Sequence, residues 1–229
     1  MTLKIYFKNI LIILKNTLYG IPYLFSNNNL EKFPKYPSLF MPIFTQIHSK
    51  NVIGCASIMN KPGRGHNAVF KLEMIKIKSL EQVFSENPKF ITAYQILIEN
   101  EDNIAKLAEF QFYKEILESG GRPRGMETLY EIEKDLNNRI EFYHRFRETG
   151  YRAIKQNAFD FGSEMQFAYV GSGKYVKVNS GNHRFAAIAL LEIKSFQGHV
   201  IAIDANYLRG FGTMRGFMVL KRIKDELTC

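Results

Sequence analysis

Apolar residues in the middle of the chain recur every three or four positions. This spacing runs from Pro88 to Ser119 and again from Glu127 to Glu148, and it predicts helix in both stretches because it places the apolar side chains on one face. Residues 119–126 (SGGRPRGM) separate the two stretches, since glycine and proline interrupt helices. Gly150 stands where the second stretch should end. We therefore expect helical segments in this part of the chain.

After Tyr151 the spacing becomes one that is typical of strands. Residues 165–180 (MQFAYVGSGKYVKVNS) predict two strands joined by a Gly-Ser-Gly turn, and the largely apolar residues 198–204 (GHVIAID) predict a buried strand. A helix is expected between them over residues 183–193, and an earlier strand from Val69 to Ile77. Short strands around one helix, beside separate helical segments, predict an α+β fold with a small mixed sheet.

The first 25 residues contain apolar runs that are interrupted by lysines. No stretch of 18 uncharged apolar residues exists, and no small-residue cleavage pattern follows, which argues against a membrane span and a signal peptide. Two interpretations remain open. The segment is a buried helix, or it is an amphipathic helix on a membrane surface with its lysines reaching the headgroups. The lysines are Lys4, Lys8 and Lys15.

Proline and glycine suggest where the chain divides. Residues 26–50 are rich in proline and predict an extended connector that packs through its aromatic residues. We interpret residues 1–60 as an N-terminal amphipathic helix with this connector. Residues 61–229 are interpreted as one domain with a helical insertion at about 88–135 and a C-terminal helix. The sequence Pro-Gly-Arg-Gly-His at 62–66 lacks the Lys-Ser/Thr pair of a P-loop, so a connecting loop is expected there.

Net charge, cysteine count and the lack of certain motifs favour some classes of function over others. The net charge of +9 favours an anionic partner, such as a nucleotide phosphate, a nucleic acid or an anionic membrane surface, although the chain contains no run of five basic residues. Two cysteines exclude a disulfide framework and fit the reducing cytoplasm. No Gly-x-Ser-x-Gly or His-Glu-x-x-His motif occurs. We expect a cytoplasmic protein, with peripheral membrane contact through residues 1–25 if their amphipathic interpretation holds.

The segment Ser180-Gly181-Asn182-His183-Arg184 lies between a predicted strand and a predicted helix. A helix start carries partial positive charge and unpaired N–H groups, which makes it a natural anion site. Ser180 is expected to cap the helix, and Gly181 to let the backbone turn and a ligand approach. His183 and Arg184 would oppose the helix dipole unless an anion lies between them and the helix end. Arg184 suits forked bonds to phosphate, and His183 suits proton donation.

A structural role is the alternative for the same residues. His183 would then bond a neighbouring carbonyl, and Arg184 would pair with Glu192 or Asp204. The spacing alone favours neither alternative.

Residues 174–203 (KYVKVNSGNHRFAAIALLEIKSFQGHVIAI) resemble the core of the ParB/sulfiredoxin-like superfamily, and the similarity covers residues 136–205 approximately. The shared features are a strand, a Gly-x-His-Arg turn, an alanine-rich helix and a short strand. The resemblance implies a nucleotide phosphate, from ATP or CTP and accompanied by Mg²⁺, at the helix start. It implies that Ser180, Gly181 and Asn182 line the phosphate site, and that the side chains of His183 and Arg184 contact the phosphate.

The chain departs from that superfamily at two positions. Asn182 stands where sulfiredoxins have a catalytic cysteine, so their redox chemistry is not expected. Ser180 stands where many relatives have aspartate, so a metal-linked carboxylate would have to come from elsewhere. The acidic residues considered for that role are Glu148, Asp160, Glu164 and Asp204.

Two functions of different class follow as hypotheses. The first is a nucleotide-dependent phosphotransferase, or kinase, that acts on a small molecule or saccharide precursor and uses His183 and Arg184 in catalysis. The second is a ParB-like nucleotide-binding, DNA-associated regulatory module without phosphotransfer, which the net charge favours. A vestigial phosphate site with a structural role is a third interpretation.

Overall fold

The computed structural model describes residues 43–56, 68–70, 72, 76–151 and 165–228. These residues form two compact units, and each unit is built from separate segments of the chain. Of the described residues, those up to Lys78, 165–181 and 195–228 belong to the first unit, and Ser79 to Tyr151 and 182–194 belong to the second.

The first unit is built on a mixed sheet. Strand β6 pairs with β1 in antiparallel and with β4 in parallel orientation; β4 continues through an antiparallel hairpin to β5, and β2 closes the far side in parallel. A short parallel strand, β3, pairs with the end of β6. The strands are β1 (Ile43–His48), β2 (Val52–Ala56), β3 (Ala68–Phe70), β4 (Gln166–Gly171), β5 (Lys174–Val178) and β6 (Ser195–Asp204).

The second unit is helical, and short polar residues cap the N-termini of some of its helices. Ser79 forms a capping box with Gln82 at the first helix, and Thr128 forms one with Glu131 at the fourth. Gly150 ends the fourth helix with a φ of 68°. The helices are α1 (Leu80–Glu86), α2 (Pro88–Leu97), α3 (Ala108–Glu118), α4 (Leu129–Thr149) and α5 (Asn182–Leu190).

Two further helices belong to the first unit. Helix α6 (Ala205–Arg209) follows β6 directly, and α7 (Gly216–Thr228) packs against β1. Both carboxylate oxygens of Glu226 on α7 accept hydrogen bonds, one from the hydroxyl of Tyr169 and the other from that of Tyr207. Within the described residues, no helix is long and apolar enough to cross a membrane.

The structure confirms the α+β fold with a mixed sheet. The hairpin over residues 165–180, the buried strand β6 and the end of α4 at Gly150 lie where the sequence places them. The ParB-like nature of the core stays a prediction. The proposed N-terminal helix, most of the connector and the loop at 62–66 lie outside the described residues.

Three stretches differ from the sequence-based expectation. The helical pattern from Pro88 to Ser119 forms two helices, because residues 98–107 contain asparagines that favour turns: Asn100 adopts a φ of 56°, and the side chain of Asn103 accepts a hydrogen bond from Ala105 N. Residues 43–48, expected to be connector, form β1 with alternating burial. Of the strand expected from Val69 to Ile77, Val69 and Phe70 lie in the short β3, whereas the described residues Leu72, Lys76 and Ile77 lie outside a strand.

Candidate functional site

Glu109 is a carboxylate with no exposed surface in the first turn of α3. Leu107, which precedes this helix, provides no side-chain cap. Two side chains of α2 take its place: Gln95 Oε1 accepts from Ala108 N at 2.9 Å, and Thr92 Oγ1 accepts from Glu109 N at 2.9 Å. The start of α3 is therefore fixed by α2, and its partial positive charge favours the ionised Glu109.

Three further side chains form a chain of polar contacts with Glu109, and we call the four residues the buried network. The hydroxyl of Tyr113 donates to Glu109 Oε1 at 2.6 Å. His183 Nε2 lies 3.3 Å from the same oxygen, a long contact that becomes an ion pair only when the imidazole is protonated. His183 Nδ1 lies 2.9 Å from the hydroxyl of Tyr143.

Burial and neighbouring charges set the protonation states of the buried network. Burial raises the pKa of Glu109, but the hydrogen bond and charge of His183, the bond from Tyr113 and the charge of Arg139 together bring it below its ordinary value. Burial lowers the pKa of His183. At neutral pH Glu109 is therefore ionised and His183 is neutral. Because an ionised carboxylate only accepts, the imidazole hydrogen lies on Nε2, and Nδ1 accepts from Tyr143.

The arrangement looks like a catalytic triad but does not make Tyr143 a nucleophile. Tyr143 has no exposed surface, and burial raises the pKa of its hydroxyl well above the ordinary value. The proton therefore stays on Tyr143. The network ties α3, α4 and α5 together at the first turn of α5.

Three basic side chains lie around the buried network, and we call them the cationic cluster: Lys89 of α2, Arg124 and Arg139. Asp135 Oδ2 lies 2.9 Å from Arg124 Nη1 and 3.4 Å from Arg139 Nη2. Burial lowers the pKa of Lys89, and the two arginines lower it further, whereas Glu109 and Asp135 raise it. The three cations thus face two carboxylates, and the positive charge is in excess.

The cationic cluster is more exposed to solvent than the buried network, whose most exposed member is His183 at 12%. The side chain of Arg124 is 46% exposed and that of Arg139 is 18% exposed. Arg124 adopts a left-handed φ of 53°, a conformation that non-glycine residues seldom take. It also lies within hydrogen-bonding range of Tyr113 and so connects the exposed cations with the buried carboxylate.

Three polar atoms at this place have no hydrogen-bond partner among the residues that the structure describes. They are Glu109 Oε2, an acceptor, and the donors Arg139 Nε and His183 Nε2, the last of which still lies 3.3 Å from Glu109 Oε1. Leaving buried polar groups unmatched is costly, so such atoms point to places where water or a ligand binds.

Ser180 and Gly181 belong to the first unit. They lie in the turn that follows strand β5. Helix α5 begins at Asn182, so Gly181 precedes its first residue, and the predicted cap at Ser180 lies one residue too early. Gly181 has a φ of 84°, as a turn requires, but a Cβ there would lie 2.7 Å from the Cα of Met165. The close contact that requires glycine at this position is therefore with Met165 of the protein, where the sequence had suggested a ligand.

The Ser180 carbonyl has a partner that the sequence did not suggest. Lys177, which is 1% exposed, donates from Nζ to Ser180 O at 2.6 Å and to Val178 O at 2.9 Å. An ammonium group inside the first unit therefore holds the turn in shape.

Asn182, His183 and Arg184 form the first turn of α5 in the second unit. All three are half-buried. The imidazole of His183 faces the buried network, so its direct contact with a phosphate stays a prediction, as do those of Asn182 and Arg184.

The structure describes the surroundings of three of the other candidates. Glu148 is exposed on α4, and Asp204 Oδ1 accepts from Leu72 N at 2.9 Å in the first unit. His199 is buried in β6, where it stacks on Phe44 at 4.7 Å. Asp160 and Glu164 lie outside the described residues.

Sequence reasoning missed the buried network and the cationic cluster, apart from His183. Glu109 offered one signal, because it stands in an apolar helical pattern four residues before Tyr113. Lys89, Arg124 and Arg139 offered none, since isolated basic residues in a basic chain are ordinary surface residues.

Within the part of the chain that the structure describes, no three His, Cys, Asp or Glu side chains gather as ligands. Asp135 is paired with two arginines, and Glu109 with Tyr113 and His183. Mg²⁺ stays a prediction, because beside a nucleotide it is held by one or two carboxylates and by the phosphates themselves. The groups here that suit phosphate are the cations.

No protein-family model, no curated protein and no solved structure matches this chain. The similarity to the ParB/sulfiredoxin-like superfamily accordingly stays a prediction from the Gly-Asn-His-Arg segment.

Proposed function

We propose that the protein binds the phosphates of ATP or CTP beside the first turn of α5. The terminal phosphoryl group is transferred to a hydroxyl of a small molecule or saccharide precursor. The observation that carries the proposal is the excess positive charge of the cationic cluster within the same unit as His183 and Arg184. Guanidinium groups suit phosphate oxygens because they donate two hydrogen bonds in one plane.

The proposed reaction needs charge neutralisation more than it needs a general base. The acceptor oxygen forms a bond to the terminal phosphorus, and the bond from that phosphorus to the bridging oxygen breaks. The nucleoside diphosphate leaves with the electron pair, and the hydroxyl proton goes to solvent. In a loose transition state of this kind, positioning and electrostatic stabilisation supply most of the catalysis. Arg184 and the cationic cluster are placed in that role.

A second candidate is a nucleotide-binding, DNA-associated regulatory module without phosphotransfer. It is favoured by the position of His183, whose two ring nitrogens face Tyr143 and Glu109. An imidazole whose two nitrogens face protein groups is poorly placed to exchange a proton with a bound substrate.

The first test is a thermal-shift series with ATP, CTP and GTP, each with and without magnesium. The wild type is compared with Arg184→Ala and Lys89→Met. Lys114→Met is the matched control, because Lys114 is an exposed lysine of the same unit that pairs only weakly with Glu118 at 3.8 Å. We expect a nucleotide-dependent rise in Tm that the first two variants lose and the control keeps.

Phosphorus NMR of the bound nucleotide then separates the two candidates. Loss of the terminal phosphate, to water or to an added hydroxyl compound, supports transfer. Stable binding with salt-dependent retention of DNA supports the regulatory module. A folded protein whose Tm no nucleotide shifts would contradict both.

A further inference from the structure

His183 is surrounded by ionisable groups from every helix that packs against it. Glu109 and Tyr113 come from α3, Tyr143 and Arg139 from α4, and Lys89 from α2. Arg184 follows it on its own helix. One carboxylate therefore favours an imidazolium at this position, and two nearby cations, together with burial, oppose it.

The two opposing cations belong to the cationic cluster. Burial is the main cause of the lowered pKa of His183, and the charges of Arg139 and Lys89 add to it. An anion bound at the cationic cluster would compensate that added repulsion. Glu109, 3.3 Å away, would remain and would form an ion pair with the charged imidazole. Nδ1 would exchange its role from acceptor to donor, and the hydroxyl of Tyr143 can accept that bond because a hydroxyl both donates and accepts. The contact between Nδ1 and the Tyr143 oxygen is kept, but the hydroxyl hydrogen of Tyr143 loses its acceptor, which makes protonation less favourable unless the anion compensates it.

We propose that anion binding at the cationic cluster is accompanied by uptake of a proton on His183, with Glu109 as the residue that positions the imidazole for it. The inference rests on the proposed function, since it takes the cationic cluster as the phosphate site. It adds a property that phosphate binding alone does not have, namely that the affinity depends on pH through one identified residue.

The direction of the effect follows from linkage. If the anion favours the protonated imidazole, the proton must favour the bound anion by the same factor. Affinity therefore rises as the pH falls through the titration range of His183, which lies below the ordinary pKa of histidine in the free protein. A rise of one pKa unit on binding would make binding up to about tenfold tighter, a limit that is reached only at pH values below the pKa of the free imidazole.

The test uses the full chain and inorganic sulfate, because sulfate keeps its double negative charge throughout this pH range. Sulfate affinity is measured by calorimetry at several pH values and in two buffers of different ionisation enthalpy, which reports proton uptake directly. Histidine side-chain NMR of the same samples follows the His183 resonance with and without sulfate. The resonance is identified by its loss in His183→Gln.

Two variants make the test specific. Glu109→Gln keeps the shape of the side chain and removes the charge that receives the imidazolium, so the pH dependence should flatten while sulfate still binds at high pH. His144→Gln is the matched control, because His144 is a half-buried histidine of the same unit that pairs with Asp102 at 2.9 Å. It should leave the pH dependence unchanged.

The outcomes separate this inference from the proposed function. Sulfate binding that is independent of pH, or that leaves the His183 resonance unmoved, overturns the coupling and leaves the phosphate site intact. Absence of sulfate binding at every pH overturns both. The NMR measurement on the wild type decides the matter even if Glu109→Gln does not fold.

Discussion

Glu109 carries a charge that bulk water does not reach, and its neighbours replace the bonds that water would supply. Tyr113 donates to it at 2.6 Å, its backbone N–H is held by Thr92, and the dipole of α3 favours its negative charge. A buried charge of this kind is tolerated only while its partners remain, because an isolated one is strongly destabilising. The network is therefore sensitive to single atoms.

Removing the Tyr113 hydroxyl tests this sensitivity. Tyr113→Phe keeps the ring and deletes one hydrogen bond to an ionised carboxylate, so we expect a loss of about 1.5–3 kcal/mol in the free energy of unfolding. Tyr94→Phe is the control, since Tyr94 is 42% exposed, and it should stay within about 0.5 kcal/mol. Urea unfolding measures both. Equal effects of the two variants would contradict the role given to Tyr113.

His199 predicts a pH dependence of stability in the first unit. Burial lowers the pKa of His199 to about 4, whereas the unfolded chain titrates near 6.5. The unfolded state therefore binds more protons between these values, and stability should fall by roughly 3 kcal/mol as the pH drops from about 6.5 to 4. His199→Phe should flatten that part of the urea-unfolding profile. His48→Gln, at an exposed position of β1, should not.

At the residue scale, the sequence located the turn before α5 but not the residues that surround it. Gly181 was found because glycine lets the backbone turn, and His183 because cations are unusual at a helix start. Glu109, Lys89 and Arg139 come from other helices, and their proximity depends on tertiary packing that no local pattern encodes.

Among the elements, the β4–β5 hairpin shows how closely one glycine can be specified. Gly171 has a φ of 92°, and a Cβ there would lie 2.5 Å from the ring of Tyr207 on α6. Gly173, two residues later, has a φ of 67° but only Asn51 Nδ2 nearby, at 3.8 Å. Glycine is therefore required at position 173 by the left-handed backbone alone, and at position 171 by the backbone and by the packing of Tyr207.

Alanine at each position separates the cost of the backbone conformation from the cost of the ring contact. Gly173→Ala should cost about 1–2 kcal/mol for the left-handed backbone alone. Gly171→Ala should cost at least about 1 kcal/mol more, because the ring of Tyr207 must also move. Thermal unfolding with far-UV circular dichroism gives both values. A cost at Gly173 as large as that at Gly171 would show that the ring contact contributes nothing.

The hairpin, β6 and the end of α4 were predictable because each is defined by residues close together in sequence. Strand β1 was missed because its alternation is short and lies next to prolines, and its partner β6 is far away in the chain. The division between α2 and α3 was missed for a different reason. Residues 98–107 contain apolar residues at helical spacing, yet their asparagines stabilise turns instead.

Considered as a whole, the molecule has two units, and neither is continuous in sequence. The second unit consists of a long segment before the β4–β5 hairpin and of α5 after it. The ring of Phe185 on α5 meets that of Phe90 on α2 at 6.4 Å, so the late segment completes the core of the early one.

This division predicts how fragments behave. Residues 79–153 alone should be partly helical without a cooperative thermal transition, because α5 is missing and the apolar surface around Phe90 stays exposed to water. Joining residues 182–194 through a flexible Gly/Ser linker should restore cooperative unfolding. A linked segment with the order of these residues scrambled is the control. A cooperative transition in residues 79–153 alone would refute the prediction.

The pairing of β1 with β6 has a consequence for biosynthesis. Gln46 on β1 and Ser195 on β6 are hydrogen-bonded although they stand 149 residues apart in the chain. At roughly 5–20 residues per second, translation leaves β1 without this neighbour for about 7–30 s. During that interval its open edge is available to chaperones and to other nascent chains. The rate of translation therefore determines how long the nascent chain can misassemble before β6 has been synthesised.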